Sequence, residues 1–283
     1  MLGRFNKTKI LALVVVVLVS LWVVTFEAYG AKTKEIKVSS EEEFFQAINS
    51  DVCLVLEPGV YNLTNWASKK TQPIRQSQKL QCAFWDTNGG QLSIGGVHNL
   101  QIRARDAGLP TQIVVEPTHA NVLRFENCQG IKLQGLILGH ANEPGSCTGN
   151  VLSFYHCQDI VLNNLNIYGC GAYGVETENV QDLSATGCWI HDCTYGIVTV
   201  DRSCAIGFKD SYFTYNKRFD LICGNYSDIS FERCHFLYNQ GDSLVSRPEN
   251  MLKVSFEGCT FGDFEKKEID KYIKGKYADI KVR

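Results

Sequence analysis

The residues best suited to acid–base chemistry are three carboxylates, Glu176, Glu178 and Asp201, followed by the basic Arg218. Glu176 and Asp201 fall on neighbouring repeats, so their carboxyl groups could meet the separation of about 5–9.5 Å that glycoside hydrolysis requires. The three carboxylates could instead hold Ca²⁺ while Arg218 removes a proton next to a uronate carboxylate. An esterase-like pairing of Asp with Arg is a third alternative. No catalytic signature of these enzyme classes stands in the sequence, so the reaction stays open.

A repeating pattern of apolar residues must position these side chains. Apolar pairs recur between Val122 and Phe261 at steps of 29, 23, 23, 23 and 25 residues. Each pair has two-residue spacing, so both side chains face one side of a strand, and a second pair follows it in constant register. Repeats of this length without a helical period predict an all-β parallel β-helix of about eight or nine turns. The first pairs are Ile131/Leu133, Ile160/Leu162, Leu183/Ala185, Ile206/Phe208, Ile229/Phe231 and Val254/Phe256.

Each repeat is predicted to contain three strands, the first of which carries the candidate residues. Strand alternation places Arg124, Ser153 and Glu176 in one outward column, with Glu178 and Asp201 one step further along. Outward positions are polar on any solvated sheet, so these charges also fit a surface without function. The predicted first strands are Val122–Phe125, Val151–Phe154, Val175–Thr177, Ile197–Val200 and Leu221–Cys223.

The two ends of the repeat domain, residues 36–262, need caps because a solenoid end exposes core and strand edges. A helix is predicted over Ser39–Asn49, since Ser40 and Glu43 have capping-box spacing. A buried strand follows at Cys53–Leu56, residues 62–91 are less regular, and the stretch Asn65–Gln81 within them is predicted to form a long loop. The tail, residues 263–283, has the pattern of a short amphipathic helix that closes the C-terminal end.

Residues 1–31 form a separate N-terminal segment. Arg4, Lys7 and Lys9 precede an uncharged run from Ile10 to Phe26, and the small residues Ala28 and Gly30 follow. This arrangement is typical of an export signal. An uncleaved membrane anchor is the alternative, because the run approaches the length of a membrane span. In both cases we expect the repeat domain to lie outside the cytoplasm, with membrane contact only through this segment.

The chain has 12 cysteines, and in an exported protein they suggest disulfides. Cys128 matches Cys157 across adjacent repeats, and Cys170 matches Cys193, so each pair is a disulfide candidate. The alternative is a structural role, because Cys also behaves as a small apolar side chain. No Cys-x-x-Cys occurs and the His residues are scattered, which disfavours a Cys/His metal site.

Charge and composition exclude some partners. The net charge is −2 with no dominant basic segment, which argues against a nucleic-acid partner. The chain is long enough for one large domain, and we expect a monomer. No cofactor is indicated apart from the conditional Ca²⁺.

The helix, the segment Leu54-Val55-Leu56-Glu57-Pro58-Gly59-Val60-Tyr61 and repeats such as 150–168 together resemble the right-handed parallel β-helix superfamily of pectate lyases and their relatives. The resemblance covers residues 36 to about 262. It implies that substrate lies along the first-strand face, beside the variable loops. Arg124, Ser153, His140, Tyr173 and Tyr195 would then contact substrate. The superfamily spans lyases, hydrolases, esterases and adhesins, so fold does not fix function.

Aromatic residues offer a binding alternative, because exposed rings can stack on sugars. We therefore expect an exported protein that binds or processes a polysaccharide as a lyase or hydrolase. The alternative is a non-catalytic carbohydrate-binding, adhesive or structural β-helix protein. The candidate outward rings are Trp66, Trp85, Tyr155, Tyr168, Trp189, Tyr212 and Tyr238.

Overall fold

The computed structural model describes residues 33–65, 83–86, 91–141, 147–169, 171–217, 220–241, 243–245, 251–262 and 278–282. One compact unit spans Glu35–Arg283. The other, Met1–Lys34, lies almost wholly outside the described residues, and so does the predicted export signal or anchor. No helix within the described ranges is long and apolar enough to cross a membrane.

Three sheets build the larger unit, and successive coils of the chain give one strand to each. Sheet A contains β1 (Lys34–Val38), β2 (Val52–Leu56), β6 (Gln101–Ala104), β9 (Gln129–Gln134), β12 (Gln158–Asn163), β15 (Gln181–Thr186), β18 (Cys204–Lys209), β21 (Ser227–Glu232), β24 (Leu252–Glu257) and β25 (Ala278–Val282). Sheet B contains β3 (Gly59–Asn62), β7 (Thr111–Val115), β10 (Ile137–His140), β13 (Asn166–Tyr168), β16 (Trp189–His191), β19 (Tyr212–Thr214) and β22 (His235–Leu237). Sheet C contains β4 (Ala83–Asp86), β5 (Gln91–Gly95), β8 (Leu123–Glu126), β11 (Leu152–Tyr155), β14 (Tyr173–Glu178), β17 (Gly196–Asp201), β20 (Asp220–Asn225) and β23 (Ser243–Val245).

The register of these sheets confirms the predicted parallel β-helix. In sheet A, Ile160 pairs with Ile131 on one side and with Leu183 on the other, so the apolar column of the sequence is a physical stack. Towards its C-terminal end the column contains three parallel rings, with Phe231 lying 5.3 Å from Phe208 and 5.2 Å from Phe256. Burial of such in-register apolar side chains is the main stabilising contribution to a solenoid.

Residues in the left-handed backbone conformation let the chain bend at each corner. Corner 1, between the strands of sheets C and A, uses Asn127, His156, Asn179, Arg202 and Tyr226, with φ of 53°, 53°, 51°, 46° and 48°. A non-glycine residue in this region is strained. The strain is offset because these N–H groups continue the ladder, as when His156 donates to the carbonyl of Glu178 at 2.8 Å.

Side chains also form ladders at the corners, which explains five of the cysteines, Cys128, Cys157, Cys188, Cys234 and Cys259. At corner 1 the Cys128 N–H donates to Cys157 Sγ at 3.4 Å, and the Ser203 N–H donates to Ser227 Oγ at 2.9 Å. Cys and Ser side chains therefore have the same structural role at these corners, which is to accept a hydrogen bond from a backbone N–H of the preceding coil. Corner 2, between sheets A and B, repeats the arrangement with its own Cys and Ser residues.

Neither predicted disulfide is formed. Cys128, Cys157 and Cys193 are buried free thiols, so the pairs Cys128–Cys157 and Cys170–Cys193 are wrong in this structure. Their sulfurs make hydrogen bonds instead, as in the 3.4 Å contact from Cys128 Sγ to the carbonyl of Ile94. Cys170 itself lies outside the described residues, whereas Cys147 is disulfide-bonded.

The N-terminal cap is α1 (Glu41–Ala47), shorter than the predicted span but with Ser40 as its N-cap. Ser40 Oγ accepts from the Glu43 N–H at 3.2 Å, while Glu43 Oε2 accepts from the Ser39 N–H at 2.7 Å and hydroxyl at 2.8 Å. The capping box therefore returns to Ser39 rather than to Ser40. Phe44 and Phe45 are fully buried against the first coil.

Five strands were not predicted from the sequence, namely β1, β3, β4, β23 and β25. β1 precedes the cap helix, β4 lies in the irregular segment 62–91 just after the predicted loop, and β25 extends sheet A beyond the last repeat. β4 pairs antiparallel with β5, which breaks the period on which the repeat detection relied. The predicted C-terminal helix lies outside the described residues.

Candidate functional site

The outward column of sheet C aligns as the sequence predicts. Cα pairing joins Arg124 to Ser153, Ser153 to Glu176, Glu176 to Thr199 and Thr199 to Cys223. A second column carries Glu178 next to Asp201. The structure therefore brings five of the predicted site residues onto one face.

Glu176 is the most tightly held carboxylate on this face. Its Oε2 accepts hydrogen bonds from Asn150 Nδ2 at 2.8 Å, Ser153 Oγ at 2.8 Å and Tyr155 OH at 2.7 Å. Ser153 is fully buried beneath these contacts, so it positions Glu176 rather than contacting substrate as predicted. Oε1 has no hydrogen-bond partner among the described residues, and the side chain is partly exposed.

Tyr155 and Arg124 flank the Glu176 carboxylate. The Arg124 guanidinium lies 4.2 Å from the centre of the Tyr155 ring and also pairs with Glu126 at 2.5 Å. Burial, followed by the hydrogen bond to Glu176, raises the pKa of Tyr155 well above its usual value. The phenol therefore remains protonated and acts as a donor to Glu176, not as a base.

Glu178 and Asp201 are committed to a common cation. Arg202 Nη2 lies 2.7 Å from Glu178 Oε1 and 2.8 Å from Asp201 Oδ2. Across the described part of the chain, no group of three His, Cys, Asp or Glu side chains could hold a metal ion. Glu176, Glu178 and Asp201 therefore do not fit the predicted Ca²⁺ site, because Arg202 forms ion pairs with two of them and three donors hold the third.

Tyr173 and Tyr195 form the loop-side border of sheet C. Their rings meet edge to face at 6.4 Å, and both are partly exposed. Tyr173 passes over Gly196, where a Cβ would lie 2.9 Å from the ring, and its hydroxyl lies 3.1 Å from Cys223 Sγ. The residues sit beside the face, as predicted, with Gly196 making room for the ring.

His140 is not part of this face. It pairs with Val115 in β7, is 1% exposed, and its Nε2 lies 2.8 Å from the carbonyl of Ala120. Nδ1 also faces a carbonyl, that of Gly169, at the longer distance of 3.4 Å. A carbonyl only accepts and a neutral imidazole has one N–H, so the proton is assigned to Nε2, which makes the shorter contact. Burial lowers the pKa of His140, which makes it a neutral structural histidine and contradicts the substrate-binding role. Arg218, the predicted base, lies outside the described residues.

A second candidate face lies on sheet B and consists of aromatic rings. Trp189 is 43% exposed and Tyr212, its partner in the next coil, is 47% exposed. His191 stacks on Trp189 at 4.0 Å, and His235 stacks on Tyr212 at 4.6 Å. Neighbouring coils are about 4.8 Å apart, so these rings form a continuous surface along the solenoid.

Two further tyrosines border this surface at corner 3, between sheets B and C. Tyr215 is 47% exposed and Tyr238 is 55% exposed, and their rings stack at 5.3 Å. We call Trp189, Tyr212, Tyr215 and Tyr238, with the two histidines, the ring surface. Tyr168 is only partly exposed, and Trp66 and the side chain of Trp85 lie outside the described residues.

Hydrogen bonds fix Trp189 and His191 of this surface in place. Trp189 Nε1 donates to Thr214 Oγ1 at 2.8 Å. His191 contacts Asn166 Oδ1 at 2.9 Å and Asp192 Oδ2 at 2.7 Å. With their polar atoms already satisfied, Trp189 and His191 keep their orientation without a ligand, which lowers the entropic cost of binding.

Sequence reasoning missed Tyr215, the two histidines and Arg202. A signal for Tyr215 existed, since Tyr-Asn recurs at Tyr215 and Tyr238, a step of 23 residues. Arg202 is a corner residue with φ of 46°, and nothing in the sequence indicates that its side chain turns back over sheet C.

Comparisons with known proteins agree with this architecture. A family model described as "Right handed beta helix region" matches residues 117–270, which is more than half of the chain. No curated protein sequence matches. Among solved structures, an alginate lyase from Paenibacillus sp. strain FPU-7 is similar, with 10% identity, a TM-score of 0.44 and coverage of 89% of this chain and 98% of that one. The catalytic domain of a GH87 α-1,3-glucanase in complex with nigerose has 6% identity, a TM-score of 0.30 and coverage of 88% and 68%.

Proposed function

This chain belongs to the right-handed β-helix family, and we propose that it binds a polysaccharide through the ring surface of sheet B. The observation that carries the proposal is the exposure of Trp189, Tyr212, Tyr215 and Tyr238 at 43%, 47%, 47% and 55% within adjoining coils. Large apolar rings grouped on a surface favour a ligand, since single exposed apolar residues are ordinary but grouped ones are not.

A polysaccharide suits this surface for two reasons. Pyranose rings present C–H faces that pack on aromatic rings, while their hydroxyl groups remain in water. The rings recur with the coil spacing of about 4.8 Å, so a linear polymer lying along the solenoid axis meets ring after ring. A small ligand would contact one ring and leave the other rings exposed to solvent.

Affinity electrophoresis tests the proposal. The full-length protein is run in native gels that contain one neutral or acidic polysaccharide each, and retardation by at least one is expected. The double variant Trp189→Ala/Tyr212→Ala should migrate as in a gel without glycan. Tyr226→Ala is the matched control, because Tyr226 is 61% exposed but lies at corner 1, away from sheet B. Absence of retardation across the panel, or equal loss in the control, contradicts the proposal.

Processing of the polysaccharide at sheet C is the second candidate function. It is favoured by Glu176, whose Oε2 has three donors while Oε1 has no partner among the described residues. Such a fixed carboxylate can act as a general base or nucleophile in hydrolysis. A Ca²⁺-dependent lyase is less well supported, because Arg202 occupies the carboxylates that would bind the metal.

Product analysis distinguishes the two functions. Any glycan that is bound should be incubated with the wild type and with Glu176→Gln, and new reducing ends and unsaturated products measured. Cleavage by the wild type that Glu176→Gln lacks, with binding retained, supports hydrolysis at sheet C. Binding without products under all conditions leaves the protein as a non-catalytic binding or adhesive β-helix.

The proposal includes export. The charged and apolar pattern of residues 1–31 would direct the domain out of the cytoplasm, where polysaccharides of the cell envelope or environment are found. N-terminal sequencing of the mature protein tests this. A start near residue 32 indicates a cleaved signal, an intact N-terminus in the membrane fraction indicates an anchor, and an intact cytoplasmic protein contradicts export.

A further inference from the structure

Two cysteines face each other near the C-terminal end of the described coils. Cys234 follows β21 and Cys259 follows β24, and they lie between the register pairs Glu232–Glu257 and His235–Thr260. They therefore occupy equivalent positions in adjacent coils. Parallel neighbours at this spacing have Cα atoms about 4.8 Å apart, within the range of about 4.4–6.8 Å that a disulfide spans.

The two cysteines are joined by a hydrogen bond but differ in access. The Cys234 N–H donates to Cys259 Sγ at 3.4 Å, and the Cys234 side chain is fully buried. Cys259 is partly exposed, and its thiol lies 3.4 and 3.6 Å from the carbonyls of Phe231 and Glu257. Solvent can therefore reach the Cys259 sulfur, whereas the Cys234 sulfur is shielded from it.

We propose that Cys234 and Cys259 are a redox-active dithiol that closes to a disulfide by exchange with a low-molecular-weight disulfide such as oxidised glutathione. The Cys259 thiolate attacks one glutathione sulfur, forming a mixed disulfide and releasing one glutathione thiolate. Cys234 then loses its proton and attacks Cys259 Sγ, forming the intramolecular bond and releasing the second glutathione. The dithiol is oxidised by two electrons, and one glutathione disulfide is reduced to two thiols.

The electrostatics favour Cys259 as the entry point. A hydrogen bond from the Cys234 thiol lowers the pKa of Cys259 to about 7, whereas the same contact followed by burial raises the pKa of Cys234. A thiolate at neutral pH is the species that attacks a disulfide. Cys147, which is already disulfide-bonded, shows that thiol oxidation is compatible with this fold.

The chain contains its own control for this reactivity. Cys128 and Cys157 make the same contact, from the Cys128 N–H to Cys157 Sγ at 3.4 Å, but each is only 2% exposed. They lie in the middle of the solenoid, where described coils on both sides restrict backbone movement. An oxidant of the size of glutathione cannot reach either sulfur, so this second pair should stay reduced.

Peptide mapping after oxidation tests the proposal. The reduced full-length protein is incubated with oxidised glutathione at pH 7, quenched with acid, alkylated in denaturant and digested. We expect a peptide linking Cys234 to Cys259, formed on the order of tenfold faster than any Cys128–Cys157 link. Lowering the pH to 6 should slow the reaction, because a smaller fraction of Cys259 is thiolate when the pH lies below the pKa of this thiol.

Two variants make the result decisive. Cys234→Ser should stop at a stable mixed disulfide between Cys259 and glutathione, while Cys128→Ser should leave the Cys234–Cys259 link unchanged. The wild-type mapping stands even if a variant fails to fold. A wild type in which Cys259 stays a free thiol, carries only glutathione, or reacts no faster than Cys128 overturns the proposal.

Discussion

Truncation of Phe231 offers a demanding test of how the coils are held together. The ring is 1% exposed and lies parallel to Phe208 at 5.3 Å and to Phe256 at 5.2 Å. It also meets Phe213 at 5.6 Å and Phe236 at 5.3 Å edge to face. Phe231→Ala therefore removes the centre of a five-ring cluster.

The expected cost follows from the rigidity of the surroundings. Deletion of a buried Phe side chain typically costs about 3–5 kcal/mol, and the value depends on how far the cavity collapses. Here the neighbouring rings are carried by strands bonded on both sides, so little collapse can occur. We predict about 4–5 kcal/mol for Phe231→Ala, and about 1–1.5 kcal/mol for Phe231→Leu, which keeps most of the volume.

Urea unfolding followed by far-UV circular dichroism measures these free energies, with the m-value as a check of cooperativity. Tyr226→Ala, at an exposed corner position, should stay within about 0.5 kcal/mol of the wild type. A loss below about 2 kcal/mol for Phe231→Ala, with an unchanged m-value, would refute the claim that the stacked rings form a rigid core.

Three further outcomes are expected. Trp189→Ala should weaken glycan binding about eightfold by isothermal calorimetry. The reason is that sugar would cover about half of the roughly 100 Å² that the side chain exposes, at about 25 cal/mol per Å²; an unchanged Kd contradicts this. Ser203→Ala should cost about 1–3 kcal/mol in thermal or urea unfolding, since the Val180 N–H at 3.1 Å would lose its acceptor. Hydrogen bonds from the Ser39 N–H and hydroxyl lower the pKa of Glu43. The Glu43 carboxylate therefore stabilises the folded state fully above pH 4.5, and this stabilisation is lost as the pH falls through the lowered pKa of the folded state. Glu43→Gln should therefore flatten the acid limb of the stability–pH curve, and an identical curve would contradict that.

The fold could be predicted because two separate columns of apolar residues show the same repeat period. The apolar columns through Ile131 and Leu136 give register as well as strand positions, and the observed pairing of Ile160 with Ile131 follows directly. β4 and β25 could not be predicted in this way, since one pairs antiparallel and the other stands outside the repeats.

The site was predictable only as far as strand alternation reaches. Alternation placed Glu176 and Glu178 outward, but it says nothing about what else contacts a carboxylate. Arg202, which pairs with Glu178, is a corner residue in the left-handed conformation. Tyr155, which donates to Glu176, belongs to the preceding coil. The burial of His140 could not be predicted, because the sequence does not show that β10 extends to include this residue.

Oxidative footprinting tests the central claim of polysaccharide binding at sheet B most directly. Hydroxyl radicals modify exposed aromatic side chains, so protection reports where a bound glycan lies. With a saturating polysaccharide, modification of Trp189, Tyr212, Tyr215 and Tyr238 should fall severalfold, while that of Tyr226 stays constant. Protection confined to Tyr155 and Tyr173 on sheet C, or none at any of these rings, would contradict the account.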